Sequence, residues 1–228
     1  RIVRRGGTML GDVVGLGKTL TAVATALMLQ AAEDYSTLVL CPKNLETMWQ
    51  EHLEAYGVDG ARVVPYSMAD KLLPDLKLFK LVICDESHNL RNDTTKAHEA
   101  IRDYVRRNSS KVLLLTATPY NLAFTDVANQ LALYIDEDDD LGIIPSAAMA
   151  KDPTLADKVD GKTNTLEAFK RSEETDDWRR LMSDHLVRRT RSFIKKSARK
   201  KAVTFDDGST QMREYLQFAD GTEFFFPT

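Results

Sequence analysis

The sequence predicts an α/β domain, a mostly parallel sheet with helices on both faces, and three observations point to it. Runs such as Thr37–Cys41 and Lys111–Leu115 have strand length and are almost wholly apolar, the pattern of strands buried on both faces. They alternate with helical patterns, the rhythm of parallel strands joined by crossover helices. The first strand candidate leads into a glycine-punctuated loop and then a helix, which places a helix N-terminus at the carboxyl edge of the sheet, where such sheets bind ligands.

Thr8–Gly11 is the first strand candidate, and Lys18–Ala32 the first helix, with Leu20, Val23, Ala24, Leu27, Met28 and Ala31 as its expected apolar face. Pro42 halts the strand Thr37–Cys41. Asn44 is placed to cap the next helix, whose face is Leu45, Met48, Trp49, Leu53 and Tyr56 and whose stop is Gly57. Ala61–Tyr66 and Lys80–Cys84 are further strands. Thr94–Arg107 is an amphipathic helix through Ala97, Ile101, Tyr104 and Val105, and Lys111–Leu115 the fifth strand. Phe124, Val127, Ala128, Leu131 and Ile135 mark a helix, followed by the acidic run Asp136–Asp140, read as a solvated loop. Leu141–Thr165 lacks periodicity and is expected to be loop or a partly ordered insertion. Trp178, Leu181, Met182 and Leu186 give a last helix running into the basic stretch Arg188–Lys201. Tyr215–Ala219 and Thr222–Phe226 flank Asp220-Gly221, a hairpin signal, and Asp207-Gly208 is a second turn.

At 228 residues the chain is long enough to bury a full core, and its apolar and charged fractions are ordinary for a globular protein. A net charge of -3 gives no global attraction to nucleic acid, so any such binding must be local. No apolar run approaches the roughly 18–20 residues that span a bilayer, and no signal peptide opens the chain; a cytoplasmic location is expected. Cys41 and Cys84 each close an apolar run and are expected to be buried free thiols, and the four histidines share no metal-ligand spacing. Arg1-Ile-Val-Arg-Arg at one end and Phe-Phe-Phe-Pro-Thr at the other read as the interior of something longer.

The chemistry concentrates in three places. Gly15, Gly17, Lys18 and Thr19 form a G-x-G-K-T core, and Gly15, Leu16, Gly17, Lys18, Thr19 and Leu20 are the candidate nucleotide-binding residues. Glycines let backbone N–H groups close around a polyphosphate, a lysine reaches the β- and γ-phosphates, and a threonine hydroxyl joins a Mg²⁺ shell. The longer phosphate-loop pattern is missed at one position, where Asp12 replaces its first glycine. Leu81–Cys84 then ends in Asp85-Glu86, two carboxylates suited to holding Mg²⁺ through its waters and to orienting or deprotonating an attacking water. His88 follows, within expected reach of Thr116 or Thr118 in Leu-Thr-Ala-Thr-Pro119, which would couple the γ-phosphate to movement elsewhere. Taken singly, each has a plain structural reading; their order along one α/β pattern favours chemistry.

Gly-Asp-Val-Val-Gly-Leu-Gly-Lys-Thr19, Asp-Glu-Ser-His88 and Thr-Ala-Thr-Pro119 resemble motifs I, II and III of superfamily-two helicases and translocases. Within them, Gly-Leu-Gly-Lys-Thr19, Cys41-Pro-Lys-Asn-Leu-Glu-Thr-Met-Trp49 (motif Ia), Asp85-Glu-Ser-His-Asn-Leu-Arg-Asn92 (the longer motif II) and Leu186-Val-Arg-Arg-Thr-Arg191 resemble the Swi/Snf-type DNA translocases, particularly their bacterial members. The resemblance covers roughly residues 8–194. It implies the first RecA-like lobe of a two-lobed motor that uses ATP and Mg²⁺ to track along double-stranded DNA. The core would be residues 1–120, with 121–194 completing the lobe and 195–228 leading to a second lobe. It further implies Lys18, Asp85, Glu86 and His88 as catalytic residues, Thr19 and Asp85 at the metal, and Thr116 and Thr118 in coupling. Lys43, Asn44, Ser67 and Arg91 would contact nucleic acid.

Val13 and Ser87 depart from the family's usual acidic residue and alanine, and no adenine-contacting glutamine motif precedes motif I. Without a second lobe and its arginine finger, slow turnover is expected. A strand-separating DNA or RNA helicase, a regulatory module without useful turnover and a kinase are the alternative readings. Arg188–Arg191 reads either as a DNA contact or hinge, or as an anchor to acidic surface; the lysines up to Lys201 read as solvated.

Overall fold

The computed structural model describes residues 2–12, 17–117, 123–188, 199–204, 210–217 and 223–225, in two compact units, Arg1–Arg188 and Arg189–Thr228. The first unit begins with α1 (Ile2–Arg5), β1 (Gly7–Leu10), α2 (Lys18–Glu33) and β2 (Thr37–Cys41). A 3-10 turn, Lys43–Leu45, leads into α3 (Glu46–Ala55), then β3 (Arg62–Pro65), a second 3-10 turn at Tyr66–Met68 and α4 (Ala69–Leu72). Next come β4 (Leu81–Cys84), a third 3-10 turn at Ser87–Leu90, α5 (Lys96–Asn108) and β5 (Lys111–Leu115). The unit closes with α6 (Phe124–Leu131), α7 (Ser146–Lys151), α8 (Leu155–Lys158), α9 (Leu166–Lys170), α10 (Thr175–His185) and β6 (Leu186–Val187).

The six strands form one parallel sheet in the order β3-β2-β4-β5-β1-β6. Alternate side chains feed two cores, as the pleat requires. Leu38, Leu40, Val82, Val112 and Leu114 belong to the core that includes α5, α6 and α10. Val39, Ile83, Leu113 and Leu115 belong to the one that includes α2 and α3. This is the α/β, RecA-like arrangement expected from the alternating pattern. The strands Thr37–Cys41 and Lys111–Leu115 keep the predicted bounds, and Cys41 and Cys84 are buried free thiols. No helix among the described residues is long and apolar enough to cross a membrane.

Several expectations need correction. Helix α2 buries Ala22, Val23 and Ala26, whereas Leu20 and Met28 are 47% and 71% exposed. The helix is apolar on nearly every side, so period alone does not choose a face; the sheet takes the one with small residues, which permit close approach. Asn44 is not a cap but the middle residue of the Lys43–Leu45 turn, and α3 starts two residues later without a side-chain cap. Tyr56 lies outside that helix's buried face, 51% exposed.

The stretch 141–165 is not plain loop. Buried Ala148, Leu155 and Val159 hold it down, and the Asp177 carboxylate accepts both the Ala147 and Ala148 backbone N–H groups at 2.9 Å, anchoring α7 from 30 residues away. Leu186 ends no helix. With Val187 it makes β6, paired to β1 through Met9 and Leu10. The acidic run Asp136–Asp140 is exposed, with surface ion pairs from Asp136 to Arg106 and Asp138 to Lys162.

In the second unit β7 (Arg199–Thr204), β8 (Thr210–Gln217) and β9 (Glu223–Phe225) form an antiparallel sheet, one strand more than the single hairpin predicted. The turn signals Asp207-Gly208 and Asp220-Gly221 lie outside the described residues, as does the arginine stretch beyond Arg188 up to residue 198.

Candidate nucleotide site and nucleic-acid edge

The sheet order decides which loops meet. Strands β4, β5 and β1 are neighbours, so their carboxyl ends bring Asp85-Glu86, Thr116 and the start of the G-x-G-K-T loop to one edge. At strand spacings near 4.8 Å, about 10 Å separates the outer two of these ends. Backbone bonds fix the edge: Thr116 N–H donates to Leu10 O at 3.1 Å, and Asp85 N–H to Leu40 O at 2.8 Å.

Gly17 sits at φ 72° and is the N-cap of α2; this left-handed conformation is the reason for glycine here, since a Cβ would meet nothing within 4 Å among the described residues. The first turn of α2 has neither an acidic side chain nor a side-chain cap, so the dipole and N–H groups of a 16-residue helix face the loop. Lys18 Nζ donates to the Asp12 carbonyl at 3.0 Å, tying the lysine back across its own loop. Asp12 is fully buried, Thr19 is half-buried and Leu20 exposed. Gly15 and Leu16 lie outside the described residues, as does Thr118.

Asp85 is 5% exposed and closely held. Its Oδ2 accepts the Trp49 indole N–H at 2.8 Å, its Oδ1 accepts the Glu86 N–H at 2.9 Å, and its carbonyl accepts the Tyr66 hydroxyl at 2.6 Å. Each carboxylate oxygen has further lone-pair capacity, so the group can also accept from metal-bound water. Glu86 is left-handed at φ 48°, an uncommon conformation that turns the chain sharply at the strand end. Asn89 steadies the turn, donating to Glu86 O at 2.8 Å from its side chain and at 3.0 Å from its backbone.

His88 Nδ1 lies 3.2 Å from Glu86 Oε2, at ion-pair distance but outside hydrogen-bond alignment. The described contact of His88 is therefore with its own motif rather than with Thr116, which is fully buried on the neighbouring strand end. Ser87 Oγ donates to Gln130 Oε1 at 2.8 Å, joining this loop to α6, and Asn129 Nδ2 donates to Arg91 O at 2.9 Å. Burial pushes both thiols up, Cys41 to about 12, with the nearby Asp85 charge adding to it. Burial likewise raises the Tyr66 phenol, so it stays a donor.

The expected nucleic-acid residues share the same edge of the sheet, on its other half. Lys43 and Asn44 follow β2, Ser67 follows β3 and Arg91 follows β4; all four are exposed. Lys43 pairs with Glu46. Strands β3, β2 and β4 are adjacent, so Asp85-Glu86 stands where the two halves of the edge meet.

Three residues at this site escape sequence reasoning in their site roles. By sequence, Trp49 is a helix-face residue and part of motif Ia, Tyr66 is a strand end that with Ser67 resembles motif Ib, a nucleic-acid contact, and Gln130 has no role. Trp49 and Gln130 do carry a signal: a buried indole needs an acceptor, and Gln130 sits amid the apolar face Val127, Ala128 and Leu131.

No family model matches the chain. A putative ATP-dependent RNA helicase of Acanthamoeba polyphaga mimivirus is 31% identical over 137 residues, 58% of this chain and 29% of that protein. The DNA repair and recombination protein RAD54B of Mus musculus is 28% identical over 151 residues, 52% of this chain and 17% of that protein. The chain thus spans less than a third of the length of these relatives. Among solved structures, the Sulfolobus solfataricus SWI2/SNF2 ATPase core in complex with dsDNA matches with a TM-score of 0.57 at 19% identity, over 81% of this chain and 40% of that one. By sequence the chain is similar to Swi/Snf-type helicase proteins, and its α/β, RecA-like fold is like that of the Swi2/Snf2 ATPase core.

Proposed function

We propose that this chain is the ATP-binding lobe of a motor that hydrolyses ATP and moves on double-stranded DNA. The observation that carries the reading is the edge order: the α2 N-terminus with Lys18, the Asp85-Glu86 pair and Thr116 follow three adjacent strands, and the exposed Lys43, Asn44, Ser67 and Arg91 continue the same edge.

On this reading the first turn of α2 and Lys18 hold the β- and γ-phosphates. The lysine exchanges the neutral Asp12 carbonyl for a charge-assisted bond to an anion. Thr19 and Asp85 would hold Mg²⁺, which when bound neutralises phosphate charge. Glu86 takes the proton of the water that attacks the γ-phosphorus as the bond to ADP breaks, and His88 restrains the Glu86 carboxylate. Contacts from Lys43, Asn44, Ser67 and Arg91 to DNA phosphates would be tolerant of sequence.

Residues beyond 195 lead toward a second lobe, and the chain alone turns over slowly, because an arginine finger from such a lobe is worth about 10³–10⁵ in rate. Support for a DNA partner comes from the Sulfolobus core, a complex with dsDNA, and from the recombination protein among the relatives.

The test is Glu86→Gln in the longer protein that carries this chain. Turnover should fall by about 10²–10⁴ with ATP binding kept, as for loss of a general base. Unchanged turnover would remove Glu86 from its role.

A further inference from the structure

Two of the groups that hold Asp85 come from the segments expected to touch nucleic acid. Trp49 lies in the first turn of α3, the helix that continues directly from the Lys43–Leu45 turn. Tyr66 opens the turn that carries Ser67. The first grips the Asp85 side chain at Oδ2 and the second its backbone carbonyl, at 2.8 and 2.6 Å. Trp49 is fully buried and Asp85 nearly so, so solvent is poorly placed to substitute for the indole bond. A shift of either turn is therefore felt at Asp85 through a short, directional contact.

We propose that Trp49 and Tyr66 are positioning residues that couple the nucleic-acid edge to the Asp85 carboxylate. Duplex DNA seated on Lys43, Asn44 and Ser67 fixes the two turns, and the paired hydrogen bonds then fix the side chain and peptide of Asp85 in the geometry that turnover needs. The coupling rests on the function proposed above. It differs from a merely structural role in one respect: it makes the response to DNA, rather than DNA affinity, depend on a single N–H and a single O–H.

The test uses Trp49→Phe and Tyr66→Phe, which remove one donor each, in the longer protein that carries this chain. Duplex DNA affinity without nucleotide should stay within about twofold, whereas the ratio of DNA-stimulated to unstimulated turnover should fall at least about tenfold in Trp49→Phe, which loses a bond to a carboxylate, and about two- to tenfold in Tyr66→Phe, which loses one to a neutral carbonyl. Half-saturating Mg²⁺ should rise in both variants. A readout independent of turnover is the Trp49 indole N–H resonance, assigned by its disappearance in Trp49→Phe, which should shift when duplex DNA is added without metal or nucleotide.

An unchanged stimulation ratio in both variants, or an indole resonance that ignores bound DNA, overturns the coupling. Should Trp49→Phe fail to fold, and the indole assignment with it, the stimulation ratio of Tyr66→Phe decides. If the unsubstituted protein binds duplex DNA without any stimulated turnover, the proposed function fails; the indole shift then supports or overturns the coupling separately.

Discussion

The Ser87–Gln130 contact gives the most closely worked prediction. Both side chains are fully buried, and Ser87 Oγ donates to Gln130 Oε1 at 2.8 Å. Ser87→Ala strands the glutamine oxygen and Gln130→Leu strands the serine hydroxyl; each leaves one buried polar group without its partner, costing about 1–3 kcal/mol. Changing both removes the pair together and replaces it with apolar groups, so the double variant should lie within about 1 kcal/mol of the parent. The coupling energy is then at least about 1 kcal/mol, above the few tenths seen for independent sites. Urea unfolding of all four proteins, followed by fluorescence of Trp49 and Trp178, measures it. Additive losses, with coupling below about 0.5 kcal/mol, would refute the claim that this pair locks the loop after Glu86 to α6.

Three further outcomes follow from the same geometry. Lys18→Ala should weaken ATP binding about 10- to 150-fold in calorimetry, the loss of a charge-assisted contact of about 1.5–3 kcal/mol. Gly17→Ala should destabilise the chain by about 1–2 kcal/mol in urea from left-handed backbone strain, because the new Cβ meets nothing within 4 Å among the described residues. The Cys41 thiol, raised to about 12 in the fold from an ordinary value of 9.0, keeps its proton where the unfolded chain has lost it. Native stability should therefore fall above pH 9, by about 1.4 kcal/mol per pH unit for that thiol, and alkylation at pH 8 should need unfolding. Rapid native alkylation would contradict its burial.

What the sequence made legible was local and continuous. Thr37–Cys41 and Lys111–Leu115 are runs whose composition, with Pro42 closing the first, leaves one reading as buried strands. The nucleotide motif and Asp85-Glu86 could be placed at strand ends for the same reason. Long-range partnerships were not legible: the bonds from Trp49 and Gln130 span 36 and 43 residues and depend on which strands become neighbours. The α2 face is ambiguous in sequence because Leu20 and Met28 fit an apolar stripe as well as Ala22 and Ala26 do. Two-residue β6 is too short to leave a period, and α7 depends on Asp177, far along the chain.

The central claim is tested most directly by the ATP turnover of the longer protein, measured with no nucleic acid, with duplex DNA, with single-stranded DNA and with RNA, beside Glu86→Gln. Strong stimulation by duplex DNA, abolished by the substitution, is the predicted result. Stimulation by single strands or RNA alone, or by none of the three, would contradict it.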